Sequence, residues 1–455
     1  MLEHLCYCTN IHPAETWEET FAALKEHTLK VRDEVNKATG KDQPYPIGLR
    51  LSAQAAKELL ELNDDEQPYL LEEFKSWLTA ENLYVYTING FPYGAFHNTR
   101  VKEQVYAPDW TTKERVEYTA YLFIIIAELA PKEIGGSVST LPGSFKEFEA
   151  NEHLIFRNLY STAIFVAALA EEYDKDLHLG LEPEPLGHFE NTEETLTFFE
   201  RFHQWAVDRG LDTDIIYQHI GINYDTCHFA LQYEDAATAL NSLTQTGLRI
   251  SKIHLSNAIE INASSEEALE AIKAFEEPTY LHQVMVKGGD TIERYRDLPE
   301  FFEAEDKGER IKGKVVHDEA ADDGCQHDEK SAARRHSHGL PQDASATFTA
   351  DDQRMSKANA SNKQVQATAD DREGVQALTA RVHFHIPLHA QPSAPLGSTI
   401  QHTIDTLEYL KQNPDTCTHL EMETYTWGVL PDELQVPIEQ QLTQEHLWVL
   451  EQANK

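Results

Sequence analysis

Eight short apolar segments alternate with longer amphipathic segments along this chain, and this alternation restricts the folds open to it. Strands that alternate with helices are typical of a parallel β-sheet, because a crossover between parallel strands needs a helix-length connection. Eight such units predict an α/β fold closed into a (β/α)₈ TIM barrel, in which functional groups lie at the carboxyl ends of the strands. The predicted strands are residues 5–11, 47–52, 83–90, 137–141, 178–184, 219–225, 250–256 and 419–426.

The alternative for such a pattern is an open, doubly wound sheet with a dinucleotide site. That site needs a G-x-G-x-x-G turn after its first strand, and no predicted strand is followed by one. We therefore expect residues 1–455 to form a single barrel. Residues 306–375 are rich in Ala, Asp, Ser, Gln and His and lack periodic apolar residues. Such a composition cannot bury enough apolar surface to fold, which predicts a long disordered insertion between strands seven and eight.

Charge narrows the range of partners. The chain carries 38 Lys and Arg against 77 Asp and Glu, a net charge of −39. Nucleic acids and anionic membrane surfaces attract clustered basic residues, so neither is expected as a partner. No apolar run approaches the roughly 20 residues of a spanning helix, and the first residues lack the features of a signal peptide. The five cysteines are scattered along the chain. Together with the charge, the lack of a long apolar run and the first residues, they predict a cytoplasmic protein that binds a small molecule and does not insert into a membrane.

Acidic and histidine side chains lie at the carboxyl ends of several predicted strands. In a closed barrel these ends meet at one rim. Carboxylates and imidazoles gathered there would be costly to bury unless a cation joined them, and this mixture of ligands suits Mn, Zn, Co, Fe or Mg. The residues concerned are Glu182, Glu184, Asp225, His228, His254, Glu421 and Glu423.

Two of these positions also fit structural roles that need no metal. Asp225-x-x-His228 also fits a helix cap followed by a surface histidine, and His254 alone could be a hydrogen-bonded core histidine. Glu421 and Glu423 are more informative, because residues two apart on a strand share one face. If that face points inward, two buried carboxylates need partners.

The motifs Leu181-Glu-Pro-Glu-Pro, Asp225-x-x-His228, Lys252-Ile-His-Leu-Ser-Asn257 and Leu420-Glu-Met-Glu-Thr424 resemble, in this order, those of xylose isomerase-like TIM barrels. Members of that superfamily, which includes sugar isomerases, epimerases and endonuclease IV, bind one to three divalent metals. The metal ligands that the resemblance implies are Glu182, Asp225, His228, His254 and Glu423. His383-Phe-His385 falls where endonuclease IV has an Asp-x-His metal pair, which implies a second metal.

Over most of its length the chain also resembles the EboE-like proteins, a family of bacterial metabolite traffic proteins. The matching stretches are residues 4–13, 87–94, 105–110, 139–142, 224–228 and 423–427. This resemblance implies the handling or export of a secondary-metabolite precursor, with other proteins of the same gene cluster as partners.

The chain departs from the wider superfamily at three positions. Glu184 stands where xylose isomerases carry a lysine that assists the hydride shift. Arg50 and Asn89 stand where endonuclease IV has metal-binding histidines. These differences disfavour both a true xylose isomerase and a three-metal nuclease.

Three functions stay open. The first is a metal-dependent enzyme of the isomerase or epimerase type. In such an enzyme a carboxylate that does not bind the metal, Glu184 or Glu421, abstracts a proton next to a carbonyl group. The second is a non-catalytic metabolite carrier or scaffold for export, since a barrel alone does not fix function. The third is a metal phosphoesterase, which ranks last because few basic residues could clamp a phosphate. Residues expected to bind the substrate are His12, Arg50, Asn89, Tyr93 and His97.

Overall fold

The computed structural model describes residues 4–95, 101–308, 378–390, 392–426 and 436–455. Eight parallel strands form one sheet in this part of the chain: β1 (Cys6–Tyr7), β2 (Tyr45–Arg50), β3 (Leu83–Asn89), β4 (Gly136–Thr140), β5 (Leu177–Leu181), β6 (Ile220–Asp225), β7 (Ile250–Leu255) and β13 (Leu420–Met422). Their order is β1-β13-β7-β6-β5-β4-β3-β2. A parallel bridge between Cys8 and Gly48 joins the two ends of this sheet. Each strand overlaps a predicted one, and the (β/α)₈ barrel is confirmed.

Helices connect the strands on the outside of the barrel, as crossovers between parallel strands require. Thr16 accepts a hydrogen bond from the Glu19 amide in a capping box, and Asn191 accepts one from the Glu194 amide. Such caps satisfy amide groups that have no partner inside the helix. The helices are α1 (Trp17–Ala23), α2 (Leu29–Thr39), α3 (Ala53–Leu59), α4 (Tyr69–Ala80), α5 (Lys113–Leu129), α6 (Glu152–Tyr173), α7 (Thr192–Val207), α8 (Asp214–His219), α9 (Thr226–Leu231), α10 (Ala236–Gln245), α11 (Glu266–Lys273), α12 (Leu298–Asp306), α13 (Ile400–Gln412) and α14 (Ile438–Asn454).

The main core fills the space between the barrel strands and these helices. β2, β6 and β7 are buried along their whole length, as is usual for parallel strands covered on both faces. Charged side chains are completely buried among these apolar ones, namely Asp225, Lys252 and Glu421. Because buried charge is costly without a partner, these residues locate the candidate site inside the barrel.

A second sheet lies between β7 and β13 in the sequence, where the apolar pattern predicts helices at residues 266–275 and 400–412 and no strand. Its strands are β8 (Asn257–Asn262), β9 (Val284–Gly288), β10 (Thr291–Tyr295), β11 (Thr379–Ile386) and β12 (Leu396–Ser398). They pair antiparallel in the order β10-β9-β11-β8-β12. Ile259, Val284 and Phe301 belong to a separate apolar core beside this sheet. α11 and α13 match the two predicted helices, but the strands between them make this connection a small α+β layer.

Two further expectations concern the insertion and the membrane. Residues 309–377, which include nearly all of the predicted insertion, lie outside the described residues, and α12 ends at Asp306 just before them. Among the described helices, α6 has the length and mean hydropathy of a membrane span, and half of its most apolar window is buried inside the protein. Core helices of barrels have the same properties, and α6 packs against α5, α8 and β5.

Buried histidines outside the barrel interior make folding stability depend on pH. Burial lowers the pKa of His446 on α14 to about 4, from an ordinary 6.5. The unfolded chain therefore takes up this proton at a higher pH than the folded chain does. The stability that this group contributes is complete above about pH 6.5 and falls as the pH drops toward 4.

We expect His446→Gln to remove part of this pH dependence. Between pH 7 and pH 5 the wild type should lose about 2 kcal/mol more unfolding free energy than the variant, measured by urea denaturation at both pH values. His153→Gln is the control, because His153 is exposed on α6 and should keep the wild-type pH dependence. Equal losses in the wild type and His446→Gln would contradict the prediction.

Candidate metal centre

The register of three neighbouring strands places charged residues side by side inside the barrel. Asp225 at the end of β6 pairs with His254 of β7, and His254 pairs with Glu421 of β13. Lys252 lies two residues before His254 and so on the same face of β7. All four side chains are completely buried, so their charges must be balanced within the barrel.

Glu182, Asp225, His254 and Glu423 form what we name the carboxylate cluster. One ligand atom of each lies within 4.8 Å of those of the other three. His254 Nδ1 is 3.1 Å from Glu182 Oε1, 3.1 Å from Glu423 Oε2 and 3.8 Å from Asp225 Oδ2. Burial would lower the pKa of His254, but Glu423 and Glu182 raise it well above its ordinary value. Three carboxylates around one imidazole leave an excess of buried negative charge, which a divalent cation would balance.

Asp225 has two tasks in this arrangement. Its Oδ1 accepts hydrogen bonds from the amides of Cys227 at 2.7 Å and His228 at 3.1 Å, and so caps α9. Its Oδ2 has no hydrogen-bond partner among the described residues and belongs to the carboxylate cluster. A buried carboxylate oxygen without a partner is costly unless a ligand occupies it, so this oxygen fits a metal. His228 is buried, which excludes the alternative of a cap followed by a surface histidine.

Two amide side chains orient Glu423. Asn10 Nδ2 donates to Glu423 Oε1 at 2.8 Å, and Asn89 Nδ2 donates to the same oxygen at 3.0 Å. Glu423 Oε2 is thereby turned toward His254. Asn89 was expected to bind substrate, and the structure places it against a ligand of the carboxylate cluster. Asn10 was not predicted, although it follows β1 and the strand-end rule applied to amides would have found it.

Lys252, Glu421 and His254 form a line of buried contacts next to the carboxylate cluster. Lys252 Nζ contacts Glu421 Oε2, and His254 Nε2 donates to the same oxygen at 2.8 Å. Burial would raise the pKa of Glu421, but Lys252 and His254 lower it to about 2. Any Cβ at Gly48 would lie 1.8 Å from Glu421 Oε1, so only glycine leaves room for this carboxylate.

These contacts assign the two nitrogens of His254. Nε2 donates to Glu421, so Nδ1 is the nitrogen that faces the other cluster members and could bind a metal, although Asn223 Nδ2 also lies 3.0 Å from it. A carboxylate behind a ligating histidine fixes its tautomer and orientation. Glu421 was expected to abstract a proton from a substrate. Its position instead favours a role in holding His254.

A second group, which we name the histidine cluster, consists of His228, His383 and His385. Their Nε2 atoms are 3.2, 3.2 and 3.3 Å apart. Nitrogens bound at 2.0–2.1 Å to one tetrahedral zinc ion would be separated by about 3.3 Å. The three nitrogens therefore already have the spacing of a metal site.

The tautomers of this cluster agree with metal binding. His228 Nδ1 donates to the Pro183 carbonyl at 2.9 Å, and His385 Nδ1 donates to the Glu423 carbonyl at 3.2 Å. Burial lowers the pKa of His383 and His385, which keeps these rings neutral. Because Nδ1 is the donor in both rings, the neutral forms of His228 and His385 direct an Nε2 lone pair into the cluster, where a cation could bind it.

An irregular register in β11 delivers two of these histidines. Val382 pairs with Ile259 of β8, and the next pair joins Ile386 to Asn257, so β11 has extra residues between the two pairs. Such bulges redirect side chains. His383 and His385 enter the cluster, while Phe384 between them stacks on His282 at 3.9 Å in the core of the second sheet.

A cavity that opens to solvent meets both clusters, and the empty space within it and at its mouth is about 630 Å³. Its lining includes Glu182, Glu423 and His383, and also Glu184. Glu184 Oε2 lies 3.8 Å from His228 Nε2. Burial, with the nearby carboxylates of Glu182 and Asp225, raises the pKa of Glu184 well above its usual value. Glu184 is thus a carboxyl group that faces the space where a substrate would bind.

Three of the other expected substrate-binding residues make contacts away from this cavity. His12 bonds to the Tyr7 hydroxyl at 3.1 Å and stacks on His27, Arg50 bonds to the Gly94 carbonyl at 2.7 Å, and Tyr93 packs on the Tyr118 ring. None of the three is among the described residues that line the cavity. His97 lies outside the described residues. Their part in substrate binding stays a prediction.

Several solved structures match this chain. They include an L-ribulose 3-epimerase (14% identity, 55% of this chain and 69% of that one, TM-score 0.34). Another is the apo form of 3-keto-D-glucoside 4-epimerase from E. coli (13%, 55% and 78%, 0.32). A third is the IolI protein with a bound zinc atom (14%, 56% and 73%, 0.32). No protein-family model and no curated protein matches the chain.

One further match is described as a xylose isomerase domain protein. The narrower resemblance to EboE-like proteins stays a prediction. At these low identities the likeness concerns the fold, and the function of this chain is argued below from its own residues.

We expect the protein, reconstituted with Co²⁺ and freed of excess metal, to bind two ions per chain, one at each cluster. His385→Gln removes a ligand that only the histidine cluster uses, so the variant should bind one ion. Elemental analysis by mass spectrometry measures the stoichiometry, and His153→Gln on α6 is the surface control. A wild-type protein that binds one ion or none would contradict the two-metal assignment.

Glu421→Gln tests the line of contacts behind His254. The neutral amide holds the imidazole less firmly, and we expect metal affinity at the carboxylate cluster to fall by about 10–100-fold, measured by competition with a chelating dye. Lys252→Met/Glu421→Gln removes the lysine charge that the single variant leaves unbalanced. The double variant thus separates a loss of stability from a loss of affinity. Wild-type affinity in both variants would rule out this role for Glu421.

Proposed function

We propose that this chain is a divalent-metal-dependent enzyme that transfers a proton at a carbon next to a carbonyl group, as in the isomerisation or epimerisation of small metabolites. One observation carries the proposal. A buried carboxylate cluster with the ligand set of a metal site meets, in one cavity, a further carboxyl group at Glu184. Metal ligands and a proton-transferring group are the two components that this chemistry needs.

The residues of the chain then have separate tasks. A divalent cation held by Glu182, Asp225, His254 and Glu423 would supply Lewis-acid stabilisation of negative charge on a carbonyl oxygen. Glu184 takes the proton from the neighbouring carbon and, in an isomerisation, delivers it to the former carbonyl carbon. The amides on Glu423 and the Glu421 carboxylate on His254 hold these ligands in place before the substrate arrives, so that little reorganisation is needed during the reaction.

Hydrolysis of a phosphate ester is a second candidate, favoured by the two adjoining clusters. Two neighbouring metals can stabilise both the attacking and the leaving oxygen. Against it, Lys102 is the one cation among the described lining residues, and it is paired with Asp297 at 2.5 Å. A phosphate would therefore meet mainly carboxylates, and we rank this function second. A carrier without catalysis would bind metal and metabolite but exchange no protons.

The test is hydrogen exchange in ²H₂O. We expect the metal-loaded protein to introduce deuterium next to the carbonyl group of at least one member of a panel of ketoses and α-hydroxyketones, detected by NMR. Glu184→Gln should slow this exchange by at least about 100-fold without loss of metal. Glu200→Gln, an exposed carboxyl on α7, should behave as the wild type.

Three outcomes would contradict the proposal. Exchange at the wild-type rate in Glu184→Gln would show that Glu184 is not the base. Equal exchange by metal-stripped protein would show that the reaction needs no metal. Release of inorganic phosphate from a phosphosugar panel, without deuterium exchange, would favour the phosphoesterase.

A further inference from the structure

The cavity above the metal centre has a polar end and apolar walls. Its polar side chains gather where the two clusters meet, namely Asn10, Glu182, Glu184, His383 and Glu423. Most of the remaining lining is carbon. The walls include Phe91, Val105, Tyr106, Tyr280, Leu281 and Tyr425. A ligand that fills this space needs polar atoms at one end and an apolar body.

The aromatic walls present rings to the cavity. Tyr106 donates its hydroxyl to the Pro185 carbonyl at 2.8 Å, which fixes the ring, and the Phe91 ring lies 5.5 Å away. Tyr280 and Tyr425 form an edge-to-face pair at 5.6 Å. Aromatic side chains in such arrangements favour a further ring as their partner, through offset or edge contacts.

The same walls are poorly suited to a sugar or an anion. A free sugar carries a hydroxyl on nearly every carbon, and each one needs a hydrogen-bond partner when it leaves water. Carbon walls offer few such partners. An added carboxylate or phosphate would face the acidic end of the cavity, where the one lining cation in the described part of the chain, Lys102, is already paired with Asp297.

We infer that the substrate class is an uncharged aromatic α-hydroxyketone, with its carbonyl and neighbouring hydroxyl at the carboxylate cluster and its ring against the apolar walls. This inference rests on the proposed function and names the kind of molecule on which that function acts. Two neighbouring oxygens suit a metal with open ligand positions, and the carbon between the hydroxyl and the carbonyl carries the proton that Glu184 would move.

Three ligands test the inference on the metal-loaded full-length protein. 2-Hydroxy-1-phenylethanone has the ring, 1-hydroxypropan-2-one has the same head group with a methyl in its place, and D-fructose is the free sugar. We expect the phenyl ketone to bind at least tenfold more tightly than either of the others, measured by isothermal titration calorimetry. Burial of the ring against the walls is the physical reason.

A wall variant locates the site of binding. Leu281→Asn keeps the size of the side chain but makes it polar, so the Kd of the phenyl ketone should rise about tenfold while that of the methyl ketone stays unchanged. Leu62→Asn is the matched control, because Leu62 is 62% exposed and is not among the residues that line the cavity.

The outcomes separate this inference from the proposed function. A protein that holds metal and exchanges protons, but binds the three ligands equally tightly or binds none of them, overturns the inference alone. Phenyl-selective binding that Leu281→Asn does not weaken also overturns it. Loss of metal binding or of proton exchange in the wild type overturns the proposed function.

Discussion

Repulsion among the buried carboxylates of the carboxylate cluster is the constraint on which most of the site depends. Two of its three carboxylates are held by donors from different parts of the barrel. Asn10 and Asn89 hold Glu423, and the cap of α9 holds Asp225. Lys252 does not reach the cluster; it neutralises Glu421, which in turn fixes His254. The barrel thus orients the ligands without cancelling their negative charge, and that remaining charge is what makes the cluster suited to a cation.

The histidine cluster differs from the carboxylate cluster in charge. Burial keeps His383 and His385 neutral, so these residues add ligand atoms beside the carboxylates without adding negative charge. Ligand chemistry then separates the two positions. A site of three carboxylates and one imidazole suits harder ions such as Mn²⁺ or Mg²⁺ as well as Zn²⁺, whereas three imidazoles favour Zn²⁺ or Co²⁺. Two clusters of unlike composition could therefore hold unlike metals in one cavity.

Strand periodicity was enough to predict the barrel and the rim on which its functional residues lie. The second sheet was not visible in the same way, because β8 follows β7 after the single residue Ser256 and no Gly or Pro marks a turn between the two strands. The roles of the acidic residues were also beyond the sequence. Glu184 and Glu421 both look like strand-end carboxylates. The strand register sets Glu421 beside His254, and Lys252 lies on its other side. Only this arrangement shows that Glu421 faces the ligands whereas Glu184 faces the cavity.

The position of β11 explains how His383 and His385 reach the candidate metal centre although a long stretch of sequence separates β11 from α12. β11 begins at Thr379, soon after the insertion, and delivers His383 and His385. It is paired with β8 on one side and β9 on the other, so its register is fixed by strands that precede the insertion. The histidine cluster therefore depends on the pairing of β11 and little on how many residues separate it from α12.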